Sequence, residues 1–584
     1  MKQINFVSLT LLAGVFLTLA GCSTQSDTDR LHEIFESYWE FRIETDPYLA
    51  SGYGITEANA LLPDASFEAL EDRNNALVSF RNELSDLDSS QLGSDDLVSY
   101  RLLVHLLDDQ IEAFSLNHHL LPLNGWWDYH ATFAEQPNRM PFRNVQDYEN
   151  YLSRLNAFPE MNAQYLERMR SAVDQGWVRP AVVLENYVPT VDALISEADE
   201  SRFMQPFEQF PGSVSEEERE RLRSEALRLV ENRVMPAYQE LSDFLHQEYL
   251  PAATETIGVS ALDGGMEYYE HLVRHYTTLD ISPAEVHNIG LDEVARIRGE
   301  MLGLIAEIEF EGDFDAFVEF LRTDSQFYAE SETELLEYTA LILKRMDGKL
   351  PEFFGRLPRM PYGLREVPDY LAPRMTTAYY NRPAQDGTRA GFYYVNTYDL
   401  PSRPLYEVEA LSFHEAVPGH HLQLALQQEL EGLPEFRMNS SFTVFVEGWA
   451  LYSEWLALEM GFYEDPYSNF GRLTYEMWRA LRLVVDTGIH AKGWTRDEAI
   501  NYMAENSALS LLNIRNEVDR YIFWPGQALA YKTGEIRIRE LRLRAEEELG
   551  DAFDLRAFHD LVLENGSITL ELLDELVEEW IASR

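Results

Sequence analysis

A proline and a glycine interrupt the most histidine-rich stretch of the chain, and this interruption limits how the stretch can fold. The sequence there reads His414-Glu415-Ala416-Val417-Pro418-Gly419-His420-His421. In one straight helix, His421 would share the face of His414 but lie roughly 10 Å along the axis, and His420 would point to the side. Pro418 disfavours a continuous helix, whereas Gly419 permits a sharp or left-handed turn. The pattern predicts a bulge that loops out two residues and returns His420 to the helical position four residues after His414.

Such a bulge would produce a spacing that is typical of a zinc site. Zinc prefers neutral imidazole nitrogens and carboxylate oxygens, and a helix can present two histidines four residues apart with a glutamate beside the first. We therefore predict His414 and His420 as a ligand pair for one zinc ion per chain, with His421 beside the site. Glu415 is the predicted catalytic base. An exposed His-Glu pair without a metal is the alternative, but three histidines around a Pro-Gly pair favour a metal.

A following apolar segment at 445–455 provides the third predicted ligand. Glu447 and Glu454 are seven residues apart and share one helix face. An acid on such an apolar segment needs a partner, such as a metal or a ligating histidine. We predict Glu447 as the third ligand, which leaves one position for water. Glu454 is predicted either to orient a ligating histidine through its ring N–H or to be solvated.

Three motifs in this order resemble a known bacterial family. They are His-Glu-Ala-x-Pro-Gly-His-His at 414–421, Glu-Gly-Trp-Ala at 447–450, and the run at 520–534 that contains Trp-Pro-Gly-Gln and Tyr-Lys-Thr-Gly. Together they look like the family catalogued as domain of unknown function 885, over nearly all of the mature chain. That family resembles the helical, gluzincin-like zinc peptidases with two His and one Glu ligand. The resemblance implies the same two extra residues before Gly419-His420 and a peptidase-like site.

The resemblance also implies how the substrate is held. Tyr531 occupies a place like the Tyr-x-x-Gly of related carboxypeptidases, so its hydroxyl is the candidate for stabilising the oxyanion, with Tyr521 in reserve. The segment 389–398 is β-prone and precedes the His414 helix. In the resembling peptidases a strand in this place is a sheet edge that binds the peptide backbone. Without the resemblance, the tyrosine is typical of a core and the segment is merely a strand.

Basic residues are concentrated near Tyr531, although the chain has only 47 Lys and Arg against 100 Asp and Glu. Arg520 and Lys532 could bind the terminal carboxylate of a peptide, which would make an enzyme act from the C-terminus, or could form ion pairs with acids. His490 lies in an apolar helical segment. We predict that it contacts substrate or is a hydrogen-bonded core histidine.

The first 22 residues predict export as a lipoprotein. The apolar run from Phe6 to Ala20 is too short for a membrane span but is typical of a secretory signal. It ends in Leu-Ala-Gly-Cys, which resembles a bacterial lipobox, so residues 1–21 are the predicted signal peptide and Cys22 the lipidated residue. Residues 22–30 are the predicted tether, and the lipid is the only predicted contact with the membrane. Ser23 favours the periplasmic side of the outer membrane or the cell surface.

Charge and periodicity define the fold class. The net charge of −53 makes nucleic acid an improbable partner. Cys22 is the only cysteine, so a core rather than disulfides must hold the chain together. Apolar residues recur at helical spacing. We predict a mainly α fold for 31–584: a large helical single unit with two lobes around a substrate channel, a small β-sheet edge next to the zinc-site helix, and the metal-site half at about 350–584.

These features predict zinc-dependent hydrolysis of peptide bonds in short or unfolded peptides, in the manner of an exopeptidase or carboxypeptidase. Two alternatives stay open. The irregular motif at Pro418 is compatible with a lipoprotein that binds peptides or metal without catalysis. The same ligands would also serve a metallo-amidase that acts on cell-wall peptides.

Overall fold

The computed structural model describes residues 26–125, 128–369, 372, 375–385, 387 and 389–584. The predicted signal peptide and the predicted lipidation site, Cys22, lie outside these residues. The first helix begins at Asp27, where the Ser26 side chain accepts a hydrogen bond from the Asp29 backbone N–H. Residues 27–30 are therefore helical, although they were assigned to the predicted tether.

Helices form most of the described chain, which confirms the predicted mainly α fold. The first twelve are α1 (Asp27–Thr45), α2 (Pro47–Gly52), α3 (Phe67–Ser85), α4 (Ser94–Ser115), α5 (Tyr129–Ala134), α6 (Gln136–Arg139), α7 (Val145–Gln175), α8 (Ala181–Asp192), α9 (Glu216–Leu229), α10 (Met235–Phe244), α11 (Gly265–Thr277) and α12 (Pro283–Glu307). The others are α13 (Phe314–Thr323), α14 (Glu332–Phe353), α15 (Val408–Glu415), α16 (His420–Gln428), α17 (Glu435–Met438), α18 (Thr443–Leu456), α19 (Pro466–Lys492), α20 (Arg496–Asn506), α21 (Leu511–Phe523), α22 (Ala530–Leu549), α23 (Leu555–Glu564) and α24 (Leu570–Ala582). None of these helices combines the length and hydrophobicity that a membrane span requires.

A three-stranded sheet precedes α15. It consists of β1 (Tyr362–Glu366), β2 (Ala378–Asn381) and β3 (Gly391–Val395) in the order β1-β3-β2. β3 pairs in parallel with β1 and antiparallel with β2. The small sheet was predicted, but the strand predicted at 389–398 lies in its centre. Both sides of β3 are therefore occupied, and among the residues that the structure describes only β1 and β2 have a free edge on which a peptide could pair.

Buried hydrophobic side chains form two large clusters and a smaller one. The first large cluster takes its residues mainly from 123–327 and 470–528. The second combines 31–107 and 530–577 with 329–463. Because the second cluster joins the N-terminal helices to the C-terminal ones, the metal-site half is not separate from the rest. This packing agrees with the predicted single unit.

Two glycines allow α18 and α22 to cross at very short distance. A Cβ on Gly448 would lie 2.5 Å from the Cα of Gly534, and a Cβ on Gly534 would lie 2.0 Å from the carbonyl oxygen of Val444. No side chain fits between these backbones. Since Glu447 precedes Gly448 and Tyr531 lies one turn before Gly534, the crossing also sets the position of these two side chains relative to each other.

Replacing Gly534 with alanine is expected to lower the free energy of unfolding by about 1–3 kcal/mol, because the added methyl group forces the two helix backbones apart. Gly303→Ala is the matched control. Gly303 is exposed within α12 and an added Cβ would meet nothing within 4 Å, so this change is expected to stabilise by about 0.5–1 kcal/mol. Chemical denaturation measures the free energy of unfolding of both variants. If the two changes had the same effect, the close contact between α18 and α22 could not be the cause.

Candidate metal centre

The His414 region forms two helices instead of one bulged helix. α15 ends at Glu415 and α16 begins at His420, so four residues, 416–419, separate them. The break is closed by a hydrogen bond of 2.9 Å from the His421 backbone N–H to the Ala416 carbonyl. A Cβ on Gly419 would lie 2.0 Å from the His414 carbonyl oxygen. Glycine is therefore required where the chain folds back onto the end of α15.

Helix α18 holds the break in place and contributes Glu447. The Trp449 indole N–H donates a hydrogen bond of 2.9 Å to the Pro418 carbonyl. Oε2 of Glu447 lies 3.3 Å from Nε2 of His414 and 3.6 Å from Nε2 of His420. The two imidazole rings are 4.7 Å apart between centroids, at 83° to each other. The structure thus brings the three predicted ligands together.

The donor atoms of these residues fit a small divalent ion. One ligand atom from each of His414, His420 and Glu447 lies within 4.8 Å of the other two. In a tetrahedral site with bonds of about 2.0–2.1 Å, ligand atoms are about 3.3 Å apart, close to the separations found around Glu447. Oε2 of Glu447 is also buried and has no hydrogen-bond partner of good geometry within the described chain. A buried carboxylate oxygen of this kind calls for a cation.

Burial and neighbouring charge determine the protonation of the cluster. Burial lowers the pKa of His420 to about 4, so its ring is neutral, as a metal ligand must be. Burial opposes the ionisation of Glu447, but His420 and His414 outweigh it and lower its pKa to about 2. Burial raises the pKa of Glu415 to about 7, and the charge of Glu447 contributes to this rise. Glu415 therefore titrates near neutrality, which suits a general base.

Glu454 contacts His414. This is the first of its two predicted positions, in which it orients a ligating histidine. Its Oε1 is 2.7 Å from Nδ1 of His414 and 3.6 Å from Nη2 of Arg479. The side chain of Glu454 is almost completely buried. A carboxylate at Nδ1 directs the other ring nitrogen toward the metal position and makes it a better donor.

Replacing Glu454 with glutamine is expected to weaken metal binding by about tenfold or more, because His414 loses the charged acceptor that orients it. Glu459→Gln is a suitable control, since Glu459 pairs with Arg542 at 2.6 Å instead of with a histidine. Titration with a competing chelator measures the affinity of each variant. Equal affinity of the wild type and Glu454→Gln would contradict the orienting role.

Tyr531 lies against a buried arginine that sequence analysis did not assign to the site. The guanidinium of Arg482 lies 4.4 Å from the centroid of the Tyr531 ring and 4.6 Å from that of Trp478. Its charge contributes to the low pKa of Glu447. Arg479, one turn earlier on α19, contacts Glu454. Two arginines three residues apart, in a chain with few cations, were the signal that could have identified both residues.

Two further predicted site residues have partners elsewhere. The ammonium of Lys532 is buried and contacts Glu293, Glu476 and Glu535 at 2.9, 2.8 and 2.7 Å. It therefore has no free donor for the carboxylate of a substrate. His490 accepts a hydrogen bond from the Val259 backbone and donates one to the Tyr521 carbonyl. It is the hydrogen-bonded core histidine of the two predicted alternatives.

The remaining predicted residues have hydrogen-bond partners outside the metal cluster. The Tyr521 hydroxyl donates to Glu517 at 2.8 Å and accepts from Arg482, so it is engaged away from the cluster. Arg520 donates to Gln527 at 2.7 Å, on the segment that leads into α22. Nδ1 of His421 is 2.7 Å from the Tyr380 hydroxyl on β2. His421 thus connects the free-edge strand to the helix that carries His420.

Comparisons with known proteins identify relatives of the whole chain. The family described as "Bacterial protein of unknown function (DUF885)" matches residues 47–577. No curated protein sequence matches the chain. A solved structure described as "the putative lipoprotein from Colwellia psychrerythraea" is 28% identical, with a TM-score of 0.88 over 96% of this chain and 100% of that one. "A putative lipoprotein of unknown function from Shewanella oneidensis" is 18% identical, with a TM-score of 0.75 over 95% and 100%. A Pyrococcus furiosus carboxypeptidase, at 10% identity and a TM-score of 0.33 over 88% and 96%, is too distant to bear on fold or activity.

Proposed function

This chain belongs to the DUF885 family of bacterial proteins, and we propose that it uses one zinc ion to hydrolyse peptide bonds in short or unfolded peptides. One observation carries the proposal. Oε2 of Glu447 lies between two imidazole nitrogens, 3.3 and 3.6 Å away, and is buried without a hydrogen-bond partner in the described chain. Two imidazoles and a carboxylate in this arrangement form the donor set of a catalytic zinc site with one open position.

Each residue of the centre has a role in this proposal. His414, His420 and Glu447 hold the ion, which when bound polarises the substrate carbonyl and lowers the pKa of water. Glu415 accepts the proton of the attacking water and passes it to the leaving amine, for which a pKa of about 7 is suitable. Tyr531 donates a hydrogen bond to the oxyanion, while Arg482 holds the tyrosine ring in place by stacking on it.

The burial of the metal centre favours substrates that are small or flexible. His414 is only 3% exposed, so a folded protein could not bring a rigid loop to it. An extended peptide could reach the centre along the free edge of β2, because Tyr380 of that strand contacts His421. Arg520, next to Gln527, is the cation that we propose for the terminal carboxylate of such a peptide.

We also propose that the protein works outside the cytoplasm as a lipoprotein. The motif Leu-Ala-Gly-Cys at residues 19–22 supports lipidation of Cys22. The relatives from Colwellia psychrerythraea and Shewanella oneidensis each carry the description "putative lipoprotein". A location on the periplasmic side of the outer membrane or at the cell surface would place the centre among peptides that the cell takes up.

Metal analysis combined with peptide digestion tests the proposal. The purified protein is analysed for metals and then incubated with a mixture of oligopeptides and with cell-wall peptides, whose products are identified by mass spectrometry. We expect near-stoichiometric zinc, cleavage of oligopeptides, loss of cleavage after chelation, and recovery when zinc is returned. A ladder of products would show the end from which the enzyme works. Zinc without cleavage would favour a binding lipoprotein, and cleavage of wall peptides alone a metallo-amidase.

A further inference from the structure

A cavity of about 530 Å³ lies between α2 and the connection that joins β2 to β3. Cavities that bind small ligands measure about 300–1,000 Å³. Tyr53 after α2, Gln385 in the connection and Gln428 at the end of α16 contribute to its walls, and none of the predicted metal ligands does. The cavity is thus large enough to hold part of a ligand and is separate from the metal centre.

Two arginines supply the charge of this cavity. Arg382 and Arg389 stand at the two ends of the connection, and no Asp or Glu of the described residues lines the cavity with them. Both side chains are exposed, so a ligand can reach them. Arg389 donates its hydrogen bonds to the backbone carbonyl groups of Ala390 and Arg382. Within the part of the chain that the structure describes, neither arginine forms an ion pair with a carboxylate, so both can pair with a ligand.

Acids near the cavity offset only part of this charge. The connection 382–389 contains one acid, Asp386, against its two arginines, and Asp386 lies outside the described residues. Glu435 on α17 is exposed and does not line the cavity. Burial raises the pKa of Tyr53 in the wall beside α2, and the charges of Glu435 and Arg382 shift that pKa in opposite directions. The side of the cavity beside α2 therefore does not favour an anion.

The side of the cavity beside the sheet differs, because both arginines act there in the same direction. Burial raises the pKa of Tyr380 on β2, and Arg389 and Arg382 both oppose this rise, with no contribution from a described acid. The Tyr380 hydroxyl lies 2.7 Å from Nδ1 of His421. His421 directly follows His420, a predicted metal ligand. The positive side of the cavity is therefore linked to the metal centre through one pair of side chains.

Helix α16 gives the distance between this side of the cavity and the metal centre. His421 in its first turn contacts Tyr380. Gln428 at its end donates a hydrogen bond of 3.2 Å to the Pro383 carbonyl. The helix therefore runs beside the chain from β2 into the connection, and Gln428 lies about 12 Å along the axis from His420. An extended peptide covers about the same distance in three or four residues.

We propose that Arg382 and Arg389 bind the side-chain carboxylate of a glutamate or aspartate in a peptide substrate, three or four residues from the bond that is cut. A guanidinium forms stronger hydrogen bonds with a carboxylate than with the neutral amide of glutamine or asparagine. The acidic surface elsewhere repels such a peptide, so these arginines also determine which bond reaches the metal centre. The inference rests on the proposed peptide hydrolysis and adds to it a preference for acidic peptides.

Calorimetric titration tests this site without cleavage when the full chain carries Glu415→Gln. The probes are acetylated hexapeptides of alanine and serine with one glutamate, placed at each position in turn, and the same peptides with glutamine. Each is made with a free and with an amidated C-terminus. At the best position we expect glutamate to bind about fivefold tighter or more than glutamine, with either C-terminus. The double change Arg382→Gln with Arg389→Gln should abolish this preference.

Arg365→Gln is the matched control. Arg365 on β1 is exposed, lies over the Phe392 ring at 3.6 Å and does not line the cavity. The change removes one positive charge from the same sheet and should leave the preference for glutamate intact. The proposal is overturned if glutamate and glutamine peptides bind equally or not at all, or if the preference requires the free C-terminus. It is also overturned if Arg365→Gln abolishes the preference as the double change does.

Cleavage of the same peptides by the wild type separates this site from the hydrolysis itself. If both proposals hold, glutamate peptides should have the higher kcat/KM, and the cut should lie three or four residues from the glutamate. A preference for glutamate in binding without any cleavage would support the arginine site and contradict peptide hydrolysis. Cleavage of glutamate and glutamine peptides at equal rates would support hydrolysis and overturn the arginine site.

Discussion

Replacing Glu415 with glutamine is expected to slow peptide hydrolysis by about 10²–10⁴-fold and to leave the metal content unchanged. Glutamine has nearly the same shape as glutamate but cannot accept the proton of the attacking water. The three predicted ligands, His414, His420 and Glu447, are unaltered in this variant, so the ion should be retained. Both quantities can be measured on one preparation, the rate by mass spectrometry of digests and the metal by elemental analysis.

Glu409→Gln is the matched control for this experiment. Glu409 lies on the same helix, α15, is buried, and accepts a hydrogen bond of 3.0 Å from the Tyr463 backbone N–H. Because a glutamine can accept the same hydrogen bond, this variant is expected to keep most of the activity. If Glu415→Gln cut peptides at the wild-type rate, Glu415 could not be the base. Equal losses in both variants would attribute the effect to the integrity of α15.

The metal cluster could be anticipated from sequence because its members are marked by local chemistry. Histidines and a glutamate at helix spacing in an apolar segment indicate a metal site. The seven-residue interval between Glu447 and Glu454 places both on one helix face. The break between α15 and α16 is different. Pro418 indicates only that the helix is disturbed. The hydrogen bond from Trp449 that holds the break comes from α18, and no local pattern contains it.

The sheet shows the same division between local and long-range information. The strand at 389–398 was predicted from β-propensity, which is a property of the segment itself. Its place in the centre of the sheet depends on β1, which pairs with it in parallel from an earlier part of the chain. Strand order is set by such pairing and not by propensity. The outer strands of the described sheet are therefore β1 and β2, and Tyr362 of β1 as well as Tyr380 of β2 lies against His421.

Charge partners were the hardest feature to predict from sequence. Lys532, beside Tyr531, was predicted either to bind a substrate carboxylate or to form ion pairs with acids, but which acids could not be predicted. Its actual partners, Glu293 on α12, Glu476 on α19 and Glu535 on α22, lie on three helices. Burial alone would raise the pKa of Glu476, but Lys532, Arg472 and other cations outweigh it and lower the pKa below its usual value. The lysine is thus part of the ionic centre that joins these helices.

Replacing Lys532 with methionine is expected to lower the free energy of unfolding by about 3–5 kcal/mol, because three carboxylates lose the buried cation that they share. Lys349→Met, which removes an exposed partner of Glu352 on α14, should change stability little. The double change Lys532→Met with Glu535→Gln removes one charge of each sign and should recover part of the loss. Chemical denaturation at pH 7 measures all three variants, and failure of the double change to recover stability would contradict an electrostatic cause.

The pH dependence of stability provides a second test, since Lys532→Met should weaken this dependence for the cluster. In the wild type the pKa of Glu476 is lower in the folded state than its ordinary value of 4.5. The stabilisation of the folded state by Glu476 is therefore present above pH 4.5 and is lost as the pH falls below that value. In Lys532→Met, Glu476 keeps Arg472 and Arg296 but loses the attraction of the lysine, so its folded-state pKa is lowered less than in the wild type. The difference in stability between wild type and variant should then shrink as the pH falls below 4.5, where the wild type loses the larger stabilisation. A difference that stays constant over this range would mean that lost packing, and not an unpaired charge, destabilises the variant.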